Sequence, residues 1–286
     1  WHYAYLGEIE VYEKRQTLYR RLPGPEVDLL SSRITNNPSL SELRFLVDGV
    51  EVTRPLDHHL TEGENLYRFT FTSKWGTATT IFPRIILDTV APTGSIKINN
   101  DDTYTTSRDI TLTLTSSDAT SGLDAMRFST DGGITWTEWE AITDSKSVTL
   151  PEGDGTKEIQ YQLRDKAGLI AAFSDTIILD TVLPSGTIKI NNDATYANSR
   201  TVTLNLTQSD DTSGASEMRF RLGANGTWTA WEAVADTKTL DLDDKDGEQT
   251  VYYEVKDKAS NISTTLSDSI ILDRVVPTGT IKINND

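Results

Sequence analysis

The chain has 286 residues and carries 27 basic against 43 acidic side chains, a formal net charge of −16 at pH 7. This acidity argues against nucleic acid and anionic membrane surfaces as partners, because both attract basic patches. The absence of cysteine excludes disulfides and thiol chemistry, and no window is long and apolar enough to cross a bilayer. We therefore expect no membrane insertion in this segment.

An internal repeat dominates the sequence. The sequence LDTVAPTGSIKINND at residues 87–101 recurs as LDTVLPSGTIKINND at 179–193 and as LDRVVPTGTIKINND at 272–286. A period of roughly 90 residues suits one independent domain per copy. The repeat therefore predicts tandem domains joined by short linkers.

The positions of these repeated sequences define the predicted domain boundaries. We predict a divergent immunoglobulin-like domain at 1–88, repeats at 89–180 and 181–273, and the first strand of a further repeat at 274–286. Whether the domain at 1–88 is complete stays open. The arrangement of residues 1–59 stays open, because little of it matches the regular copies. We expect the parent chain to continue past Asp286, because an isolated strand has no stability of its own.

Apolar and polar residues alternate at a period of two within each copy, which is typical of strands with one buried face. In the first regular copy, strands are predicted at Ile96–Ile98, Ile110–Leu114, Met126–Phe128, Val148–Leu150, Ile159–Leu163 and Ile177–Leu179. About seven such strands with Gly and Asp turns between them predict an all-β, antiparallel sandwich. In the first domain, the segments EVDLLSSRI and SELRFLVDGVEV also predict strands.

The motifs of one copy, in order, are DTxxPTG, then SGxxxMRFSxDGGxxWxxWE, GDG, DKAG and DxIxLDT. This pattern resembles the immunoglobulin-like and fibronectin-III-like repeats of large prokaryotic surface proteins. It covers residues 87–274 well and 60–88 in part. The resemblance implies immunoglobulin-like sandwiches of the kind found in adhesins, in surface-layer proteins and as spacers beside secreted enzymes. It also implies an extracellular or cell-surface location.

The stretch STDGGITW at 129–136 fits an Asp-box, a motif that stabilises a hairpin. We expect a structural hairpin in which Asp131 accepts backbone hydrogen bonds. Trp136 and Trp139 differ by three positions, so in a straight strand they face opposite sides. We assign Trp136 and its counterpart Trp228 to the core, which leaves Trp139 and Trp231 outside as candidate stacking platforms for glycans.

No catalytic constellation stands out. The three histidines all lie outside the regular copies, and the sequence contains no G-x-S-x-G, phosphate loop or H-E-x-x-H motif. Matched acidic residues in duplicated copies indicate a repeated structural task. We predict that this segment is not an enzyme and has no catalytic residues.

Acidic residues gather where the copies should join. The sandwich topology is expected to place Asp101, Asp102, Asp154 and Asp180 near Asp210, Asp211 and Asp257, and Asp88 near Asp118 and Asp165. Converging carboxylates repel one another, and calcium, which takes six to eight oxygen ligands, would remove that cost. Because the first domain offers only Glu62 and Glu64, we expect the earlier joint to bind calcium more weakly. The alternative is that these residues only cap turns.

The sequence thus predicts a stalk, filament or adhesive spacer, with calcium rigidifying the junctions. Its partners would be neighbouring repeats of the same chain, other copies in a filament or surface layer, or surface glycans. The alternative is a set of carbohydrate-binding accessory domains of a secreted enzyme.

Overall fold

The structure is a computed structural model that describes residues 11–14, 17–20 and 24–283. The predictions for residues 1–10 and 284–286 lie outside these described residues. Within the described ranges, every regular element is a β-strand. The same ranges contain no helix of the length and apolarity needed to span a bilayer.

The chain divides into two compact units. The first extends to Ile96 and adds Thr113–Lys146 and Gln160–Ser174, whereas the second holds Lys97–Leu112, Ser147–Ile159 and the chain from Asp175 onward. The strands of the middle repeat therefore belong partly to each unit. Each sheet is nevertheless built from strands of one predicted repeat.

The described residues up to Leu87 form four small sheets. Their strands are β1 (Val11–Lys14), β2 (Thr17–Arg20), β3 (Val27–Leu29), β4 (Ile34–Thr35), β5 (Glu42–Val47), β6 (Val50–Pro55), β7 (Gly63–Leu66), β8 (Phe69–Thr72), β9 (Ala78–Ile81) and β10 (Arg84–Leu87). The sheet orders are β1-β2, β3-β5-β6, β4-β10-β7 and β8-β9. Asp48 and Gly49 both have positive φ between β5 and β6, as a two-residue hairpin requires. The core includes Leu43, Phe45 and Ile85, all fully buried.

The middle repeat forms two sheets. Its strands are β11 (Thr93–Ile98), β12 (Tyr104–Thr105), β13 (Asp109–Ser117), β14 (Leu123–Ser129), β15 (Ser145–Thr149), β16 (Gly155–Asp165) and β17 (Ile170–Leu179). The sheet orders are β11-β13-β15 and β12-β17-β16-β14. Along β13, the burial alternates so that Ile110, Leu112 and Leu114 are buried. The predicted strands are therefore confirmed, and the structure adds the short strand β12.

The third repeat follows the same plan. Its strands are β18 (Ser185–Ile190), β19 (Tyr196–Ala197), β20 (Thr201–Ser209), β21 (Ala215–Leu222), β22 (Glu232–Ala233), β23 (Thr237–Asp241), β24 (Gly247–Asp257) and β25 (Leu266–Leu272). The sheet orders are β18-β20-β23 and β19-β25-β24-β21-β22. Ile190 and Leu204 from one sheet share a core with Phe220 and Tyr253 from the other, whose rings stack at 5.2 Å. Burying each such side chain stabilises the fold by about 1.5–3 kcal/mol.

The repeated sequence IKINND forms the end of the first strand of the repeat and the turn that follows it. In the middle repeat, this turn leads the chain from β11 to β12 in the opposite sheet. Asn99, Asn100 and Asp101 have φ of 47°, 62° and 78°, a left-handed run that Asn and Asp tolerate best. The Asn99 side chain accepts a hydrogen bond of 2.9 Å from the Thr111 N–H, which fixes the turn against β13. The chain then enters β12, which pairs in parallel with β17. The sandwiches are thus antiparallel except for one short parallel pair each, which β4–β10 and β19–β25 repeat.

Candidate functional site

A first group of carboxylates lies where the linker after β10 meets the loop between β13 and β14. One oxygen from each of Asp88, Asp118 and Asp165 lies within 4.8 Å of the others. Asp88 is 0% and Asp165 1% exposed, so water compensates little of their charge. Burial, followed by the charges of Asp88 and Asp118, raises the pKa of Asp165 above its ordinary value.

Hydrogen bonds tie this group to the linker and to the loop that follows. The Asp88 carboxylate accepts from the Val90 N–H at 3.0 Å and from the Ser121 N–H at 3.1 Å. Asp118 accepts from the Gly122 N–H at 2.5 Å. A single buried side chain therefore connects the linker backbone to the β13–β14 loop.

Two buried oxygens of this first group have no hydrogen-bond partner. Asp165 Oδ1 accepts from the Leu169 N–H at 2.9 Å, but Oδ2 of the same carboxylate is unpaired. Ser121 is 8% exposed, and its Oγ is unpaired as well. Buried polar atoms are nearly always satisfied, and an ion is one of the few explanations for an exception.

A second group repeats the arrangement around Asp180, Asp210 and Asp257, again with one oxygen from each within 4.8 Å. Asp180 accepts from the Val182 and Ser213 N–H groups, both at 3.1 Å. Burial is the first cause that raises the pKa of Asp257. Oδ2 of Asp210 is buried and has no hydrogen-bond partner, although the residue as a whole is half-buried.

Asn261 distinguishes the second group from the first. Its Nδ2 donates to Asp257 Oδ2 at 2.9 Å and to the Asp180 carbonyl at 3.0 Å, while its N–H donates to Asp257 Oδ1 at 2.8 Å. Both oxygens of the buried Asp257 carboxylate are therefore satisfied. The sequence interpretation missed this residue, because Leu occupies the same position in the other copy.

Four of the predicted metal ligands lie outside both groups among the described residues: Asp101, Asp102, Asp154 and Asp211. Asp101 forms an ion pair of 2.5 Å with Lys97 inside the left-handed turn. Asp154 accepts hydrogen bonds from the N–H and the hydroxyl of Thr181. Fewer carboxylates therefore come together than the sequence predicted. Asp101 and Asp154 bind local partners instead.

The residue after each linker aspartate is held by a carboxylate from a preceding loop. The pairs are Thr89 with Glu62, Thr181 with Asp154, and Arg274 with Asp246. In each pair a side chain fixes the start of the linker to the sandwich it leaves. This contact restricts the rotation of the linker at its first residue.

The Asp-box segment is a hairpin turn with satisfied hydrogen bonds. Asp131 accepts from the N–H of Thr135 at 2.8 Å and from the Ser129 hydroxyl at 2.7 Å. The Thr135 hydroxyl bond is the first cause that lowers the pKa of Asp131 to about 2. Trp136 donates through Nε1 to the Gly133 carbonyl at 3.0 Å. The predicted structural hairpin is confirmed.

The tryptophans form stacks with cationic side chains and are not core residues. Arg127 lies 4.8 Å from the ring centre of Trp136 and 4.5 Å from that of Trp139, and Arg164 lies 4.4 Å from Trp139. None of the four tryptophans of the two copies is buried, so the assignment of Trp136 and Trp228 to the core is wrong. The segment between β14 and β15 is irregular, and strand alternation does not apply to it.

The same stacks bear on glycan binding. Two cationic side chains, Arg127 and Arg164, already lie against the ring of Trp139. Trp231 has the same arrangement, with Arg219 at 4.4 Å and Lys256 at 4.7 Å. Glycan stacking on these two rings stays a prediction, which a glycan array can test.

No protein-family model and no curated protein matches the chain. Several solved structures do. One, titled structures of Clostridium thermocellum CbhA fibronectin(III)-like modules, is 14% identical with a TM-score of 0.39 and covers 65% of this chain and 100% of that one. A tetra-tandem repeat in the extending region of a large adhesion protein is 17% identical, with a TM-score of 0.29 and coverage of 81% and 63%.

The FN1–FN3 domains of chicken CNTN1 are 10% identical, with a TM-score of 0.35 and coverage of 87% and 100%. The fold assignment itself rests on the sheets and cores described above.

Proposed function

We propose that this chain is a non-enzymatic structural segment of a long extracellular or cell-surface protein, acting as a stalk or adhesive spacer whose joints are stabilised by calcium. The observation that carries the proposal is the burial of the linker aspartates. Asp88 and Asp180 are both 0% exposed and accept hydrogen bonds from the loop that follows the linker.

The burial of Asp88 and Asp180 supports a role in setting the path of the chain. An aspartate that bonds to both its own linker and the following loop limits how the linker can turn. Such a bond is charge-assisted and buried, where hydrogen bonds to ions contribute about 1.5–3 kcal/mol. A spacer that must hold its length benefits from joints of this kind.

The strand order also suits a protein that is pulled from both ends. In the third repeat, β19 lies near the chain entry and pairs in parallel with β25 at the exit. The pair is held by the Ile271 N–H on the Thr195 carbonyl and the Asp273 N–H on the Ala197 carbonyl, at 3.1 and 2.9 Å. Opposite forces on two parallel strands load these bonds together, in shear.

The donor set fits a hard cation. Each group offers three carboxylates, and main-chain carbonyls and serine hydroxyls lie on the same loops. Calcium prefers oxygen ligands of this kind, and extracellular modules bind it at about 10⁻⁴–10⁻³ M. In the first group, the unpaired oxygens of Asp165 and Ser121 support a cation there.

Force spectroscopy on the whole chain tests the structural role. Stretching from the two termini should give separate unfolding events, each releasing about 300 Å for a repeat of roughly 90 residues. Calcium should raise the unfolding force relative to EGTA. A smooth extension without discrete events would contradict a mechanical role, whereas discrete events unaffected by calcium would contradict only the metal.

A further inference from the structure

The two carboxylate groups occupy equivalent positions but differ in one side chain. Leu169 follows Asp165 by four residues, as Asn261 follows Asp257. In both copies the N–H of that residue donates to Oδ1 of the aspartate, at 2.9 and 2.8 Å. Only the Asn261 side chain also donates to Oδ2 and to the Asp180 carbonyl. The second group therefore has a neutral donor where the first has none.

The serine of the neighbouring loop shows the same difference. Ser213 Oγ accepts a hydrogen bond from the Ala259 N–H at 3.3 Å. Ser121 Oγ, at the same place in the first group, is buried and unpaired, as is Asp165 Oδ2. The first group thus has two buried oxygens without a partner, those of Asp165 and Ser121, whereas the second group has one, Asp210 Oδ2. The counterparts of the first two, Asp257 Oδ2 and Ser213 Oγ, both accept hydrogen bonds.

A nearby lysine does not explain this difference, because both groups have one. The Lys166 ammonium lies 3.4 Å from the place of a Cβ on Gly122, and the Lys258 ammonium lies 3.5 Å from that on Gly214. The lysines therefore do not distinguish the two groups. The groups differ in the Asn261 amide and in the pairing of the loop serine.

We infer that calcium binds the group of Asp88, Asp118 and Asp165 in preference to the second group, because the Asn261 amide occupies there the place that the cation takes in the first. The inference rests on the proposed calcium-stabilised joints and names the residue that tunes them. It reverses the order expected from the sequence, in which the earlier joint was the weaker. Both oxygens of Asp257 already accept hydrogen bonds, so calcium gains less by binding beside them.

Calorimetric titration of the whole chain with calcium chloride, up to about 10 mM, measures both affinities. The wild-type chain should show one site at least about tenfold tighter than the other. Asp118→Ser should remove the tight site, and Asp210→Ser should leave it. These two substitutions change half-buried residues and keep a side-chain oxygen, and circular dichroism checks that each variant folds.

Reciprocal substitutions then test the amide directly. Leu169→Asn should weaken the tight site by about tenfold or more, and Asn261→Leu should strengthen the weak site by a similar factor. Leu169→Asn should also raise the melting temperature in EGTA, because it pairs a buried carboxylate oxygen.

Two results would overturn the inference while leaving calcium at the joints: equal affinities in the wild-type chain, or substitutions that leave both affinities unchanged. The absence of any calcium heat in the wild-type chain would overturn the proposed calcium joints and the inference with them. The calorimetric traces therefore separate the two failures.

Discussion

Gly94, the glycine of the first PTG sequence, is required because the backbone of a neighbouring strand approaches it closely. Replacing Gly94 should therefore destabilise the repeat that contains it. A Cβ on Gly94 would lie 2.5 Å from the Thr115 carbonyl oxygen and 2.8 Å from Leu163 Cδ1. Ordinary contacts of this kind are about 3.4 Å or longer, so β11 would have to move by close to 1 Å. Overpacking of this size costs about 1–3 kcal/mol. The expected result for Gly94→Ala is a fall in melting temperature of about 4–8 °C for each kcal/mol lost.

Gly279, the equivalent glycine in the third copy of the repeated sequence, provides a matched control. A Cβ on Gly279 would meet no atom within 4 Å, so Gly279→Ala should leave the melting temperature unchanged. Scanning calorimetry on the two variants and the wild-type chain makes the comparison. Equal effects of the two substitutions, or a Gly94→Ala variant as stable as the wild-type chain, would refute the reasoning from close approach.

Three further outcomes are expected. Trp136→Ala and Trp139→Ala should lower the free energy of unfolding by similar amounts, about 1–2 kcal/mol each in denaturant melts, because both rings lie outside the core and stack with Arg127. A loss of about 3 kcal/mol or more for Trp136→Ala alone would show that the ring of Trp136 belongs to the core. The Asp131 carboxyl should titrate at about 2 by NMR, and Thr135→Val should move that pKa back toward 3.8; an unchanged midpoint would contradict the assigned cause. Because folding lowers the pKa of Asp131, the ionised carboxylate stabilises the folded state above pH 3.8, and this stabilisation is lost as the pH falls toward 2. Acid melts of Asp131→Asn and of the wild-type chain check this expectation.

Strand positions could be predicted because alternation survives in the residues that face the core. Ile110, Leu112 and Leu114 are each at most 3% exposed, and the polar residues between them are exposed. The parallel strands β12 and β19 could not be predicted this way, because a two-residue strand is too short to show a period. The left-handed turn at Asn99–Asp101, however, has a signal in the sequence, since Asn and Asp are the side chains best suited to positive φ.

The candidate site could be predicted in part. The repeat identified the linker aspartates and the loop aspartates that meet them, because equivalent loops of a repeated fold lie at the same end. The roles of Lys97 and Thr181 were missed, since a pairing between neighbours in space depends on side-chain direction. The tryptophans were misplaced because the period-two rule was applied to a segment that is not a strand.

Thermal unfolding of the whole chain in calcium and in EGTA tests the central claim most directly. With calcium at about 100 times its dissociation constant, binding to the folded state alone should add about 2.7 kcal/mol and raise the melting temperature. Asp165→Asn should reduce this rise, because it removes the buried unpaired carboxylate of the first group and leaves only the weaker second site. Identical melting temperatures of the wild-type chain in the two buffers would contradict calcium-stabilised joints.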